Sequence, residues 1–204
     1  MREQLEDILN EVDLSSEELQ LLLTLQNLHQ KLRARTLKKY KRINPFYEDL
    51  FSWKERGSFW LNERKNVTIY NSTTLSGHVE VGDNTWIGPF CSLDGGKAGL
   101  RIGSYCSISA ACHILTHDTV KWALSLGKEP YEYKATSLGD GCFVGTSSVI
   151  LKGVSLGNQC LVAAGSVVTK SFPEKSIVGG VPAKKIGMVI QSGDGSIELR
   201  FEKK

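Results

Sequence analysis

The chain has 204 residues, with 25 Lys and Arg against 22 Asp and Glu and a formal net charge of +3. That length is enough for one sizeable core with a small appendage, and the near balance of charge, with no accompanying motif, argues against a nucleic-acid partner. Gly is frequent (20) and Pro scarce (5), which excludes a Pro/Gly low-complexity chain. The run Met1-Arg-Glu-Gln-Leu-Glu-Asp is charged and no apolar stretch follows it, while the longest leucine run, Leu21–Leu23, is far too short to span a bilayer. The expectation is a soluble, cytoplasmic protein with no membrane span.

Residues 1–60 read as a helical N-terminal segment. Ser15-x-x-Glu18 has the form of a capping box. Leu19, Leu22 and Leu23, and then Leu21, Leu25, Leu28 and Leu32, fall at helical spacing, which predicts one or two helices packing on the rest of the protein or on a neighbouring subunit. Residues 31–42 carry Lys31, Arg33, Arg35, Lys38, Lys39, Lys41 and Arg42 and no acid, as a solvated helix face does, or a patch that attracts a phosphorylated or polyanionic acceptor. Asn44-Pro45 is placed to end this stretch.

Residues 61–187 form the principal domain, and a period decides its fold. Steps of six from Ile69 reach Leu75, Val81, Ile87 and Leu93. The pattern resumes at Ile102, Ile108 and Ile114, and again at Leu138, Val144, Ile150, Leu156, Val162 and Val168. Every one of these positions is aliphatic. Two residues before each lies Val, Thr, Ser or Cys, with Leu100 as the exception. Positions two apart share a face of a strand, so each six-residue unit is a short strand with one large and one small inward residue. Gly82, Gly88, Gly103, Gly139, Gly145 and Gly157 follow the aliphatic residue and are expected at the bends. Three such units close one coil, and stacked coils make a parallel β-helix, an all-β solenoid. Cys91, Cys106, Cys112, Cys142 and Cys160 all fall at the small inward position, where they read as inert buried thiols and not as nucleophiles.

Residues 118–135 interrupt the repeat as an extruded loop bearing Lys121, Trp122, Tyr131, Glu132 and Tyr133. Aromatic residues beside charged ones suit a sugar-binding lid, and suit packing of the loop on the core equally well. Residues 188–204 read as a C-terminal tail, with Gly193-Asp194-Gly195 at the centre of a short hairpin.

Of the four histidines, His29 lies in the helical segment and His113 precedes the inward Ile114 and should point outward. His117 falls at the bend where the long loop leaves, with an imidazole suited to proton transfer near neutral pH.

Ser92-Leu-Asp-Gly-Gly, Leu115-Thr-His-Asp, Val144-Gly-Thr-Ser-Ser-Val-Ile, Ala164-Gly-Ser-Val-Val-Thr-Lys and Gly180-Val-Pro-Ala-Lys, in this order, resemble the hexapeptide-repeat acyltransferases. The likeness is greatest to the maltose/galactoside O-acetyltransferase branch and its polysaccharide and nucleotide-sugar relatives. The resemblance implies a left-handed coil and a homotrimer with active sites between subunits. It also implies acetyl-CoA as co-substrate, no metal, and a sugar or nucleotide-sugar acceptor with a hydroxyl or amine. His117 matches the family's general base. Thr146, Ala164, Thr169, Lys170 and Lys184 match coenzyme-binding positions, and Asp94, Trp122, Tyr131 and Tyr133 are expected to bind the acceptor. Pro89 stands where the maltose branch has Asn, an Asp-Gly-Gly-Lys-Ala-Gly insertion follows Leu93, and Gly187 replaces a basic residue; a simple maltose or galactoside acceptor does not carry over. The competing readings are a non-catalytic carbohydrate-binding or scaffold solenoid, and a metal enzyme of the γ-carbonic-anhydrase type using His78, His113 and His117.

Overall fold

The computed structural model describes residues 13–61 and 66–202. The chain divides into two compact units at Leu50/Phe51. In the first, helix α1 (Ser16–Tyr40) opens on the capping box: the Glu18 N–H donates to Ser15 Oγ, and the Ser15 N–H to Glu18 Oε2 at 2.9 Å. Lys41 stops the helix in the left-handed conformation with φ 54°. A short helix α2 (Phe46–Leu50) follows, and Asp49 Oδ1 accepts from the hydroxyl of buried Thr36 and the amide of Asn44, each at 2.9 Å. Leu21, Leu25 and Leu28 are exposed, as are Lys31, Arg33, Arg35, Lys38, Lys39 and Lys41.

The second unit begins with helix α3 (Trp53–Leu61), which lies on the first coil of the solenoid. Gly57 permits the approach, because a Cβ there would stand 2.3 Å from the Val67 carbonyl oxygen. Trp53 stacks on Tyr70 with ring centroids 3.9 Å apart, and the Arg56 guanidinium donates to the carbonyls of Tyr70 and Thr73.

The solenoid is a left-handed parallel β-helix of about six turns. Its three faces are three inward ladders. The first joins β1 (Thr68–Ile69), β3 (Trp86–Ile87), β5 (Ser107–Ile108), β10 (Phe143–Val144), β13 (Leu161–Val162) and β15 (Ser176–Gly180), stacking Ile69, Ile87, Ile108, Val144, Val162 and Val178. The second stacks Leu75, Leu93, Ile114, Ile150 and Val168, from β2 (Thr74–Val81), β4 (Ser92–Ile102), β6 (His113–Ile114), β11 (Val149–Ile150) and β14 (Val167–Val168). The third stacks Val81, Ile102, Leu138 and Leu156, and takes in β9 (Thr136–Leu138) and β12 (Ser155–Leu156). Nearly all these side chains are fully buried, so the aliphatic set of the six-residue period is the core; Leu75, in the first coil, is only partly covered.

The glycines after the aliphatic positions are there for a reason other than the expected bend. None of Gly82, Gly88, Gly103, Gly139, Gly145 and Gly157 has positive φ. A Cβ at Gly82 would instead lie 2.4 Å from the backbone nitrogen of Ser104, and one at Gly145 would lie 2.5 Å from that of Ala164. Coil packs on coil too closely there for a side chain. The left-handed residue of each corner comes just before the small inward one: Asn84, Phe90, Tyr105, Ala111, Ser147 and Gln159 all have φ near +57°, with Gly141, Gly153 and Gly165 at equivalent places.

At most of the second inward positions the side chain is not only small but also a donor. Thr85 Oγ1 donates to the Gly103 carbonyl at 2.9 Å, one coil on, and Thr73 Oγ1 to that of Gly88 at 2.6 Å. The Sγ atoms of Cys91, Cys106, Cys112, Cys142 and Cys160 reach carbonyls of the next coil at 3.1–3.2 Å. Thr, Ser and Cys combine small volume with a donor that satisfies a buried corner carbonyl. All five thiols are buried and free of disulfides, and the neighbouring Cys106 thiol, with burial, pushes that of Cys142 up to about 11.

At its far end the coil gives way to antiparallel pairing. Strand β16 (Ala183–Gln191) runs back along β15, and β17 (Ile197–Phe201) pairs with β16 through the expected hairpin turn. The loop after β6 leaves between the second and third faces and contains β7 (His117–Asp118), helix α4 (Val120–Leu124) and β8 (Glu132–Tyr133).

Thr85→Val keeps the shape of the inward position but removes the donor to Gly103 and the acceptor for the Cys106 N–H. Urea denaturation is expected to show a loss of about 1–3 kcal/mol for Thr85→Val and a much smaller loss for Thr85→Ser.

Candidate active site

One corner of the solenoid, between the second and third faces, departs from the regular stack. Residues 76–78, 94–99 and 115–135 of successive coils all protrude there. The lower two lie so close that a Cβ on Gly95 would meet the His78 carbonyl oxygen at 2.1 Å. This packing buries Asp94 at the root of the protrusion, with 8% of its surface exposed. One carboxylate oxygen accepts from the Gly96 N–H at 3.1 Å and from Ser76 Oγ at 3.3 Å, and the other lies 3.4 Å from the Thr116 N–H.

That second oxygen also meets His117 Nδ1 at 2.5 Å. A carboxylate can only accept, so Nδ1 carries the proton, and in the neutral ring it is Nε2 that bears the lone pair. The imidazole is about one-third exposed (36%). One face stacks on Tyr133, with centroids 5.6 Å apart and planes 24° from parallel, and Lys97 Nζ stands 5.6 Å from the centre of the Tyr133 ring.

His117 and Tyr133 are held together because β7 and β8 pair antiparallel, His117 opposite Tyr133 and Asp118 opposite Glu132. This two-strand ribbon is tied down by charge. Lys152 Nζ lies 2.6 Å from Asp118 and 2.9 Å from Glu132, and Lys121 Nζ lies 2.6 Å from Glu132. Lys121, and then Lys152, hold the Glu132 carboxyl down at about 2, and Lys152 lowers that of Asp118.

The residues expected at the acceptor side therefore divide. Asp94 lies behind His117 with its oxygens engaged inside the chain. Tyr133 touches His117. Trp122 and Tyr131 sit further out on the loop as an edge-on pair with ring centroids 5.5 Å apart, both partly exposed.

The expected coenzyme positions occupy two corners. Thr146 and Ala164 are exposed at the corner between the first and second faces, where Thr146 Oγ1 donates to Ala110 O at 2.8 Å. Lys184, exposed on β16 opposite Gly179, belongs beside that corner. Thr169 and Lys170 follow β14 and are exposed at the His117 corner, two coils further on, and Lys170 Nζ lies 5.6 Å from the Phe172 ring centre. The stacking distance puts them about 10 Å from His117 along the axis. Within one chain the second face separates the two sets.

His113 projects outward on the second face and His78 is exposed in the lower protrusion. Among the described residues no three His, Cys, Asp or Glu side chains converge as metal ligands, so His78, His113 and His117 form no centre within one chain. Lys152 was not among the sequence-predicted site residues. Its signal was its place two residues after Ile150, at the corner where Thr116 and His117 follow Ile114 one coil earlier.

The hexapeptide period and the parallel β-helix it builds place the chain among the hexapeptide-repeat proteins. A family profile described as the hexapeptide repeat of succinyl-transferase matches residues 135–170. The chain is 34% identical over 139 residues to Protein CapG of Staphylococcus aureus, covering 62% of this chain and 79% of that protein. It belongs to the hexapeptide-repeat acyltransferase family. Among solved structures, the fold is shared with AntD, an N-acyltransferase from Bacillus cereus in complex with dTDP and 3-hydroxybutyryl-CoA, at 21% identity and a TM-score of 0.58, over 68% of this chain and 88% of that one. It is shared as well with the hexapeptide-repeat containing acetyltransferase VCA0836 from Vibrio cholerae, at 20% identity and a TM-score of 0.50, over 81% and 92% of the two chains. No described helix is long and apolar enough to cross a membrane.

The Glu132 carboxyl, ordinarily near 4.5, is held at about 2 in the folded chain. A lowered carboxylate contributes stability above its unfolded value and loses it as pH falls through the folded one. The His117–Tyr133 ribbon is therefore expected to keep its NMR amide signals on acidification from neutral pH to about 4.5, and to loosen on further descent toward about 2.

Proposed function

We propose that the protein transfers an acetyl group from acetyl-CoA to a hydroxyl or amine of a sugar, carried on a nucleotide or on a cell-surface polysaccharide precursor, by direct attack with His117 as general base. The observation that carries this reading is the 2.5 Å contact between His117 Nδ1 and the buried Asp94 carboxylate, which leaves Nε2 as the free base on a partly exposed ring.

In the reaction Nε2 removes the acceptor's proton as its oxygen or nitrogen attacks the thioester carbonyl, so no free alkoxide forms. The new C–O or C–N bond gives a tetrahedral oxyanion, stabilised by a backbone or side-chain donor. Collapse breaks the C–S bond, and the imidazolium returns its proton to the coenzyme thiolate. Asp94 favours the Nδ1–H tautomer throughout and steadies the imidazolium as it forms. The buried cysteines take no part, since their sulfurs point into the core.

The coenzyme reading rests on family membership and on the CoA ligand of AntD. Thr146, Ala164 and Lys184 would line one side of the coenzyme and Thr169 and Lys170 the other, with the lysines meeting its phosphates as point charges. A single elongated ligand meets both sets when one corner of one copy faces the other corner of its neighbour. This geometry supports a homotrimer with sites between subunits. Tyr133, Trp122 and Tyr131 offer aromatic faces to a sugar ring. The dTDP in the AntD complex supports a nucleotide-linked acceptor, and with it a cytoplasmic place of work.

Calorimetric titration of acetyl-CoA is expected to give saturable binding near one site per chain, weakened at least tenfold in the Lys170→Ala/Lys184→Ala variant; no binding at millimolar coenzyme would overturn the reading. In an acceptor screen, His117→Ala is expected to lower kcat by about 10²–10⁴-fold with the coenzyme affinity retained. Asp94→Asn, which can hold the ring in the wrong tautomer, should lose much of the same factor.

A further inference from the structure

His117 sits on a strand of two residues at the neck of an extruded loop, paired with β8 alone, and an isolated two-stranded ribbon is only marginally stable by itself. From the coil below, Asp94 grips the imidazole, but that grip orients the ring only if the backbone bearing it is already in place. Hydrogen bonds from Leu115 N–H to the Ile150 carbonyl and from Lys134 N–H to the Thr116 carbonyl fix the neck, and the ribbon beyond it is held from the coil above. Lys152 reaches from the corner after β11 into the space between β7 and β8 and meets one carboxylate on each strand, Asp118 at 2.6 Å and Glu132 at 2.9 Å. Asp118 is the residue next to His117, and Glu132 is the residue next to Tyr133, on which the imidazole stacks. The Lys152 side chain is 16% exposed, and its ammonium lies between the two carboxylates. With two carboxylates bound, its ammonium is not open to a phosphate.

We propose that Lys152 is a positioning residue: it cross-braces the β7–β8 ribbon to the next coil and thereby sets the His117 imidazole against Asp94. Its importance for transfer rests on the reading of His117 as general base. Lys121 joins Glu132 from the loop's own side and so cannot anchor the ribbon to the solenoid.

The test compares Lys152→Met and Lys152→Arg with the parent chain. Methionine keeps the stem and removes the charge, while arginine keeps a charge that can meet both carboxylates. Two measurements need no substrate. Hydrogen exchange at amides 117–133 is expected to speed up about tenfold or more in K152M and to return toward the parent rate in K152R. The imidazole nitrogen resonances of His117 are expected to move in K152M toward those of Asp94→Ala, in which the partner is gone. The third measurement is transfer: kcat is expected to fall by about tenfold to a hundredfold in K152M, with acetyl-CoA affinity changed less than about twofold and most activity recovered in K152R. Parent-like exchange and imidazole resonances in K152M would overturn the proposal. So would a loss confined to coenzyme affinity, which would make Lys152 a coenzyme contact. A parent chain that transfers no acyl group while the ribbon loosens and the resonances move in K152M would leave the brace standing and defeat the general-base reading instead.

Discussion

The closeness of one coil to the next is the constraint on which the rest of this protein depends. Adjacent strands of a parallel sheet sit about 4.8 Å apart, and at several corners that spacing leaves no room for a Cβ on the residue after the aliphatic position, as at Gly82, Gly103, Gly139 and Gly145. It also turns carbonyls of many corners toward the interior, where Thr, Ser or Cys at the small inward position supplies a donor to them. Glycine at one place and Thr, Ser or Cys at another are thus two answers to the same approach. The long aliphatic residues then fill the axis as three ladders, each side chain covered by its counterparts above and below.

A stack so regular can be opened at one corner without cost to the others, because each coil contacts only its neighbours. The second and third faces keep their register on either side of the 115–135 protrusion, with Ile114 under Ile150 and Leu138 under Leu156. The functional groups are therefore mounted on a rigid wall and yet lie on irregular backbone. His117 receives its tautomer from the coil below and its place from the coil above. The candidate site is built from contacts that run along the solenoid axis and not along the chain.

That direction also explains what could be read from the amino-acid order. The three ladders were legible because a strict six-residue period admits no other arrangement, and the five cysteines followed from their phase within it. The thiols' partners were not legible: a reading by size sees that Cys106 is small, but not that Gly139 presents a carbonyl to it 33 residues later. Asp94 stood out as a candidate facing the acceptor and lies instead at the back of His117, since its burial comes from the stacking of Gly95 on His78. Lys152 bears on Asp118 and Glu132 across gaps that only the coil closes. Local signals such as the Ser15–Glu18 capping box and the Gly193–Gly195 turn were readable at once, because both partners lie within a few residues.

A ladder of identical rungs contains no instruction about its own length, and an open parallel stack would template further copies as a growing fibre does. Arg56 removes that invitation at one end. It occupies the carbonyl of Thr73, which a further rung would need as an acceptor, and that of Tyr70 beside it. At the other end the polarity of the backbone reverses in β16 and β17, so an added parallel rung finds no matching register, and Glu198 and Arg200 alternate along the outermost strand. A chain built on the geometry of a fibril is in this way kept to a finite particle, its extent written in one arginine and one change of strand direction.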